Sequence, residues 1–136
     1  MLISSKGRYA LRIMLELAEH YGDDFIPMKD MAQRQGISKG YIAQIMPILS
    51  KNGLVDSIHG KGGGYRLTRP PQECTVGEIL HLTEESLAPV SCLQCDAAPC
   101  ERAAHCKTLP VWRKMEAITN AYIDSLTLQD ILDGKY

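Results

Sequence analysis

The sequence predicts a mainly α-helical protein with one small β-hairpin. Three observations carry that prediction. Four segments place apolar residues at helical spacing, each with a start or stop signal of its own. Four glycines in the five residues 60–64 separate two short alternating segments, the pattern of a hairpin. No apolar run approaches the ~18 residues of a membrane span. A length of 136 residues suits one domain, or a small domain with an appendage. With 45% hydrophobic and 23% charged residues, wholesale disorder is excluded.

The elements follow in order. Ser5 to Tyr21 reads as a helix with Ala10, Met14, Leu17, Ala18 and Tyr21 on one face, ended by Gly22-Asp23-Asp24. Pro27 opens a short helix through Met28, Met31 and Ala32, which Gly36 breaks. Ser38 is a suitable N-cap for a third helix, Lys39 to Lys51, with Ile42, Ile45, Met46 and Leu49 as its apolar positions. Asn52-Gly53 stops it. Pro47 lies inside this helix, has no N–H to donate to residue 43, and predicts a bend near Ala43. Two short helices joined by a glycine turn form a helix-turn-helix. Leu54 to Ile58 and Tyr65-Arg66-Leu67 then read as the strands of a hairpin, so the unit has the pattern of a winged helix. A nucleotide-phosphate loop is the rival reading of these glycines. No Walker pattern is present, however, and no helix starts directly after them.

Pro70-Pro71 reads as a linker, and Thr75-Val76-Gly77-Glu78 as a capping box opening a helix to about Thr83. Residues 84–107 have no helical stripe and hold four of the five cysteines. A long helix follows Pro110, with Val111, Met115, Ile118 and Tyr122 as its stripe and Trp112 and Ala121 beside it. Thr127-Leu128-Gln129-Asp130 caps a short terminal helix. The expected division is a winged helix-turn-helix domain over 1–69, a linker helix and cysteine-rich loop over 70–107, and a dimerisation helix with a short terminal helix over 108–136. The long helix has two ways to cover its stripe, its own domain or a second copy. The second copy is favoured, because helices one to three already supply the winged helix with a core.

The formal net charge is −1, which by itself argues against a nucleic-acid partner. The charge is unevenly spread. Residues 1–69 carry ten basic and six acidic side chains, and residues 70–136 carry five basic and ten acidic. Within 34–69, six basic residues face Asp56 alone. Such asymmetry is expected when one half meets a polyanion, and it also arises from ordinary solvated helix faces.

Cys92, Cys95, Cys100 and Cys106 are separated by two, four and five residues. The opening Met1-Leu2-Ile3-Ser4-Ser5-Lys6 lacks the apolar stretch of a secretory signal, so a cytoplasmic location is expected, and metal or redox chemistry is favoured over disulfides. Thiolates suit zinc and iron–sulfur clusters alike. Structural zinc sites prefer two C-x₂-C pairs, and only Cys92 and Cys95 make one here. Cys74 stands apart and reads as structural. His105 adjoins Cys106, where both reaching one metal is awkward. No nucleophile elbow, paired metal-binding histidines or kinase-like set is present, so the chain is not read as an enzyme.

These residues together resemble the IscR-type family of iron–sulfur-sensing, winged-helix transcription regulators. The resemblance runs almost end to end. It is carried by Ser5-Lys6-Gly7-Arg8-Tyr9-Ala10, by Gly36-Ile37-Ser38 with Tyr41 and Gln44, and by Lys51-Asn52-Gly53-Leu54-Val55. Gly60-Lys61-Gly62-Gly63-Gly64-Tyr65 and Leu126-Thr127-Leu128-Gln129-Asp130 continue it. The resemblance implies a homodimer on double-stranded operator DNA, with a cluster held by three cysteines matching Cys92, Cys100 and Cys106. The gap between the first two is longer than the family's usual one, seven residues, and contains Cys95. The family's fourth ligand is a His just after the third cysteine or an acidic residue near the N-terminus. Here Lys107-Thr108-Leu109 and Arg8 stand at those places, so Cys95 is expected to take the role. All-cysteine ligation fits a 2Fe–2S or a 4Fe–4S cluster, with 2Fe–2S favoured.

The resemblance further implies that Ser38, Lys39, Tyr41 and Gln44 reach phosphates or base edges in the major groove. The wing tip, His59, Gly60, Lys61 and Gly62, is expected along the minor groove or backbone. The expected function is a DNA-binding regulator, a repressor, whose operator binding is controlled by a cluster in the 92–106 loop sensing cluster supply, oxygen or nitric oxide. The alternative is a zinc-stapled or thiol-redox winged-helix regulator with no iron–sulfur cluster.

Overall fold

A computed structural model describes all 136 residues. The chain runs α1 (Ser5–Glu19), α2 (Met28–Gln35), α3 (Lys39–Lys51), β1 (Val55–Ile58), β2 (Gly64–Leu67), α4 (Val76–Thr83), α5 (Leu109–Ser125) and α6 (Leu128–Leu132). Two short 3₁₀ turns, Pro71–Glu73 and Ser91–Leu93, lie in the connections.

Ser4 caps α1 by accepting the Gly7 N–H at 3.1 Å, and the helix buries Ala10, Ile13, Met14, Leu17 and Ala18. It ends at Glu19 rather than Tyr21. The Tyr21 N–H bonds to Ala18 three residues back, so the last turn tightens toward Gly22 and leaves the Tyr21 ring half exposed. In α2, Pro27 takes the extended N-cap position, and Gly36 closes the helix in the left-handed region at φ +64°, the turn a side chain would strain. Ser38 then caps α3 by accepting the Tyr41 N–H at 3.1 Å. Helix α3 stays unbroken through Pro47, whose ring sits on the exposed side, as does Ala43, the residue whose carbonyl loses its partner.

β1 and β2 pair antiparallel, Val55 opposite Leu67 and Ile58 opposite Gly64. The sequence pattern does not reveal that Ile26 joins this hairpin. Its N–H and C=O exchange bonds with Tyr65 at 2.8 and 2.9 Å. Gly64 permits that approach, since a Cβ there would lie 2.1 Å from the Ile26 carbonyl oxygen.

The core runs past the hairpin. Its 18 buried residues join α1, α2, α3 and the strands to Cys74, Ile79 and Leu128, so the helices of the N-terminal unit share their core with α4 and α6. Pro71 is buried and opens a 3₁₀ turn, so Pro70-Pro71 packs rather than spans. Both expected capping boxes form, Thr75 with Glu78 and Thr127 with Asp130. The two are paired back to back: the Val76 N–H bonds to Leu126 and the Leu128 N–H to Cys74, at 2.8 and 2.9 Å. A buried carboxylate, Glu16, ties α1 to α2, with Arg34 Nε at 2.9 Å and a bond from the Gln35 side-chain amide at 2.8 Å. Only the two ends of α5 are buried, Leu109 and Ile123, the latter packed in a smaller cluster with Val76, Leu80 and Leu87.

Candidate functional site

Helix α3 and the wing present the residues expected to meet DNA. Ser38, Lys39 and Gln44 are exposed, and so are His59, Gly60, Lys61 and Gly62. Tyr41 differs from that expectation in part. It is half buried, with its ring edge-on to Tyr9 of α1 at 5.2 Å, so its ring supports the helix and only its outer edge is available. Pro47, Lys51 and His59 line a groove of about 250 Å³, which places the later half of α3 against the wing.

The structure also divides the basic excess of residues 34–69. Arg34 is paired with Glu16, Arg66 stacks over Phe25 at 4.3 Å, and Arg69 donates to Glu78 at 3.0 Å. That bond to Glu78 raises the Arg69 pKa further, against the opposing effect of burial. Lys39, Lys51 and Lys61 are exposed and have no carboxylate within 4.0 Å. These three lysines, together with Arg66, whose stacking leaves its charge in place, are therefore the cations this segment offers to a polyanion.

The cysteines separate into two kinds. Cys74 is buried, and desolvation pushes its thiol up to about 11, with Glu78 adding to the shift. The four clustered thiols lie near the surface. Cys92, Cys100 and Cys106 line one cavity of about 190 Å³, walled by Leu93, Leu109 and Arg113. Cys95 and His105 are not part of its lining. Cys106 stands just before α5. The Thr108 hydroxyl, 3.4 Å from the sulfur, and the backbone N–H groups of Thr108 and Leu109 hold its thiol below the usual range.

Soft donors converging on one partly apolar cavity fit a thiolate-bound metal group. In the conformation described, no three Cys, His, Asp or Glu side chains stand close enough to hold a metal ion, so binding requires the loop to draw inward. Thr108 and Arg113 were not singled out in the sequence. Only the position of Thr108, two residues beyond Cys106 and just before the apolar stripe, marks it.

Beyond this cavity, α5 carries its expected stripe in the open. Val111, Met115, Ile118 and Tyr122 are between 45 and 59% exposed. A groove of about 590 Å³ runs along Val111, Met115 and Ile118. No helix is long and apolar enough to cross a membrane.

A helix-turn-helix whose second helix packs against a glycine-tipped hairpin defines the class: a winged-helix, DNA-binding transcriptional regulator. Residues 3–134 match the Rrf2 family, described as an iron-dependent transcriptional regulator, and the chain belongs to that family. It is 36% identical to the HTH-type transcriptional regulator IscR of Aliivibrio salmonicida over 97% of this chain and 77% of that protein. Among solved structures it resembles CymR, the global cysteine regulator of B. subtilis, with a TM-score of 0.78 and 36% identity over 96% of this chain and 95% of that one. It resembles T. potens IscR equally, at a TM-score of 0.78 and 34% identity over 100% of this chain and 89% of that one. The chain is a transcriptional regulator of the IscR type, and the relatives named are regulators rather than enzymes.

Proposed function

We propose that this regulator binds double-stranded operator DNA as a homodimer and represses transcription under control of an iron–sulfur cluster in the 92–106 loop. The observation that carries this reading is the shared cavity of Cys92, Cys100 and Cys106 at the foot of α5. Those three thiolates would hold the group, with Cys95 drawn in as the fourth ligand when the loop closes. Four-cysteine ligation fits a 2Fe–2S or a 4Fe–4S cluster, and 2Fe–2S is the form proposed. The cluster would supply a redox-sensitive staple whose gain or loss reports cluster supply, oxygen or nitric oxide.

The chain's own residues do the rest. Lys39, Lys51 and Lys61 neutralise phosphates, Gln44 reads base edges with Ser38, and the wing tip from His59 to Gly62 tracks the backbone. The exposed stripe of α5 meets the same stripe of a second copy, which sets two α3 helices at the spacing of two half-sites. Ordering residues 92–106 changes the equilibrium between conformations with different operator affinity. The division into a reading unit over 1–69, a sensor segment over 70–107 and a dimer segment over 108–136 belongs to the same proposal.

One observation favours a second reading, a cluster-free thiol switch: the Thr108 contact that promotes the Cys106 thiolate. Anaerobic purification separates the two. A coloured protein containing iron and acid-labile sulfide supports the cluster. A colourless protein whose operator affinity follows reductant supports the thiol switch, and a colourless zinc-loaded one supports a zinc staple.

A further inference from the structure

One short turn faces two sites. The 3₁₀ turn Ser91–Leu93 puts Cys92 and Leu93 on the cysteine cavity, while Gln94, the next residue, lines a different cleft of about 430 Å³. That cleft is bounded by Lys6 of α1, Tyr41 of α3 and Glu84 at the end of α4. Glu84 and Tyr41 are braced. Glu84 Oε1 accepts both the Ser4 N–H, at 3.0 Å, and the Ser4 hydroxyl, at 2.7 Å, joining the start of α1 to the end of α4. A Cβ on Gly7 would lie 2.1 Å from the same carboxylate oxygen, so this junction is tightly fitted. Tyr41 is braced there by Tyr9. Gln94 is therefore an exposed loop residue lining one cleft with this tightly fitted α1–α4 junction and with Tyr41 in the first turn of the DNA-reading helix.

We propose that Gln94 is the positioning residue through which the cysteine cavity acts on α3. Drawing Cys92 inward turns the 91–93 backbone, and Gln94 on its other side is displaced relative to Tyr41 and Glu84. The effect of the thiol cavity on DNA affinity then travels within one chain, across the cleft. This rests on the cluster-controlled reading above.

The test compares wild-type and Gln94→Ala protein, each cluster-loaded and cluster-free under anaerobic conditions. Three quantities are read: visible absorbance per chain, operator Kd, and hydrogen exchange of a peptide spanning 38–46. In the wild type, loading changes Kd by a coupling factor in the ordinary range of about 5- to 150-fold and slows exchange in the first turn of α3. Gln94→Ala keeps the absorbance, while its Kd ratio collapses to about twofold or less of unity and its exchange no longer responds to loading. Full wild-type coupling in Gln94→Ala overturns the inference and leaves the cluster reading standing. A wild-type ratio of one overturns the cluster reading and this inference with it. If Gln94→Ala fails to load, Glu84→Ala, outside the cysteine loop, carries the same test: retained coupling there overturns the inference, and lost coupling supports it.

Discussion

Leu49 and Ile118 are both apolar residues on striped helices, and the fold treats them oppositely. Leu49 of α3 is fully buried in the 18-residue core, whereas Ile118 of α5 is 59% exposed beside a groove. The same contrast separates the thiols. Cys74 is sealed under α4, while Cys92, Cys95 and Cys100 stand in the open. The body formed by α1–α4, the hairpin and α6 buries most of its large apolar side chains in one shared core. The cysteine loop and α5 leave an apolar stripe and a set of soft ligands unfilled. An amphipathic period thus announces that a face will be covered, but not whether the same chain will cover it.

The sharpest way to break this comparison is to delete one side chain on each side of it. Leu49→Ala leaves a cavity in a packed core and is expected to destabilise the protein by about 2–5 kcal/mol. Its thermal midpoint falls by roughly 10 °C or more. Cys100→Ala removes an exposed side chain, so its effect on stability stays within about 0.5 kcal/mol while cluster absorbance is lost. Thermal unfolding and iron content of the two variants decide it. A Cys100→Ala protein that melts like Leu49→Ala would make the loop part of the core.

The open stripe on α5 gives the second test. Ile118→Asp puts a charge where a second copy is proposed to pack and is expected to give a monomer in sedimentation. Operator affinity then falls by about 10²–10⁴-fold, the gain that two linked reading heads supply over one. The variant's helical content is unchanged, because residue 118 touches no core. A dimeric Ile118→Asp would remove the stripe from the interface.

Much of the body was legible in the sequence because its signals are local. The Ser38 cap, the Gly36 turn, the two capping boxes and the stripe of α3 each lie within a few residues of what they determine. The rest depends on residues far apart. The pairing of Ile26 with Tyr65 joins segments whose own patterns do not announce it. The two capping boxes were readable, but their back-to-back pairing through Cys74 and Leu126 was not. The burial of Glu16 depends on Arg34 and Gln35 from another helix. The charge pattern marks a basic segment yet includes two arginines that the fold pairs with Glu16 and Glu78. At the cysteine site, spacing identified the donors, while the cavity selects Cys92, Cys100 and Cys106 and leaves Cys95 outside its lining.

Cys74 sharpens the comparison from inside the body. Burial raises its thiol from 9.0 to about 11, so the folded protein resists ionising it and the unfolded chain does not. The associated stability is fully present below about pH 9 and is lost as the pH rises from there through about 11. The loss is at most about 3 kcal/mol, from two pKa units at 1.36 kcal/mol each. Denaturant unfolding of wild type and Cys74→Ala at pH 7 and pH 10.5 measures it: the gap between them narrows at alkaline pH. A constant gap would place the thiol in contact with solvent.

The smallest expected effect lies on the reading surface, where the fold pairs Arg34 and Arg69 with carboxylates and leaves Lys39, Lys51, Lys61 and Arg66 without one. If Lys61 at the wing tip rests on a phosphate, Lys61→Ala releases one fewer set of counterions on binding. The slope of log K against log salt then flattens by about one unit, and affinity drops alike for all sequences. Gln44→Ala behaves differently, keeping the slope and relaxing preference at one base position, because a base-edge contact carries sequence information and a phosphate contact does not. The carboxylate-paired arginines give the control. Arg69→Ala leaves the slope unchanged, since its charge is already met by Glu78. A flattened slope for Arg69→Ala with none for Lys61→Ala would reverse the division of charge that the fold implies.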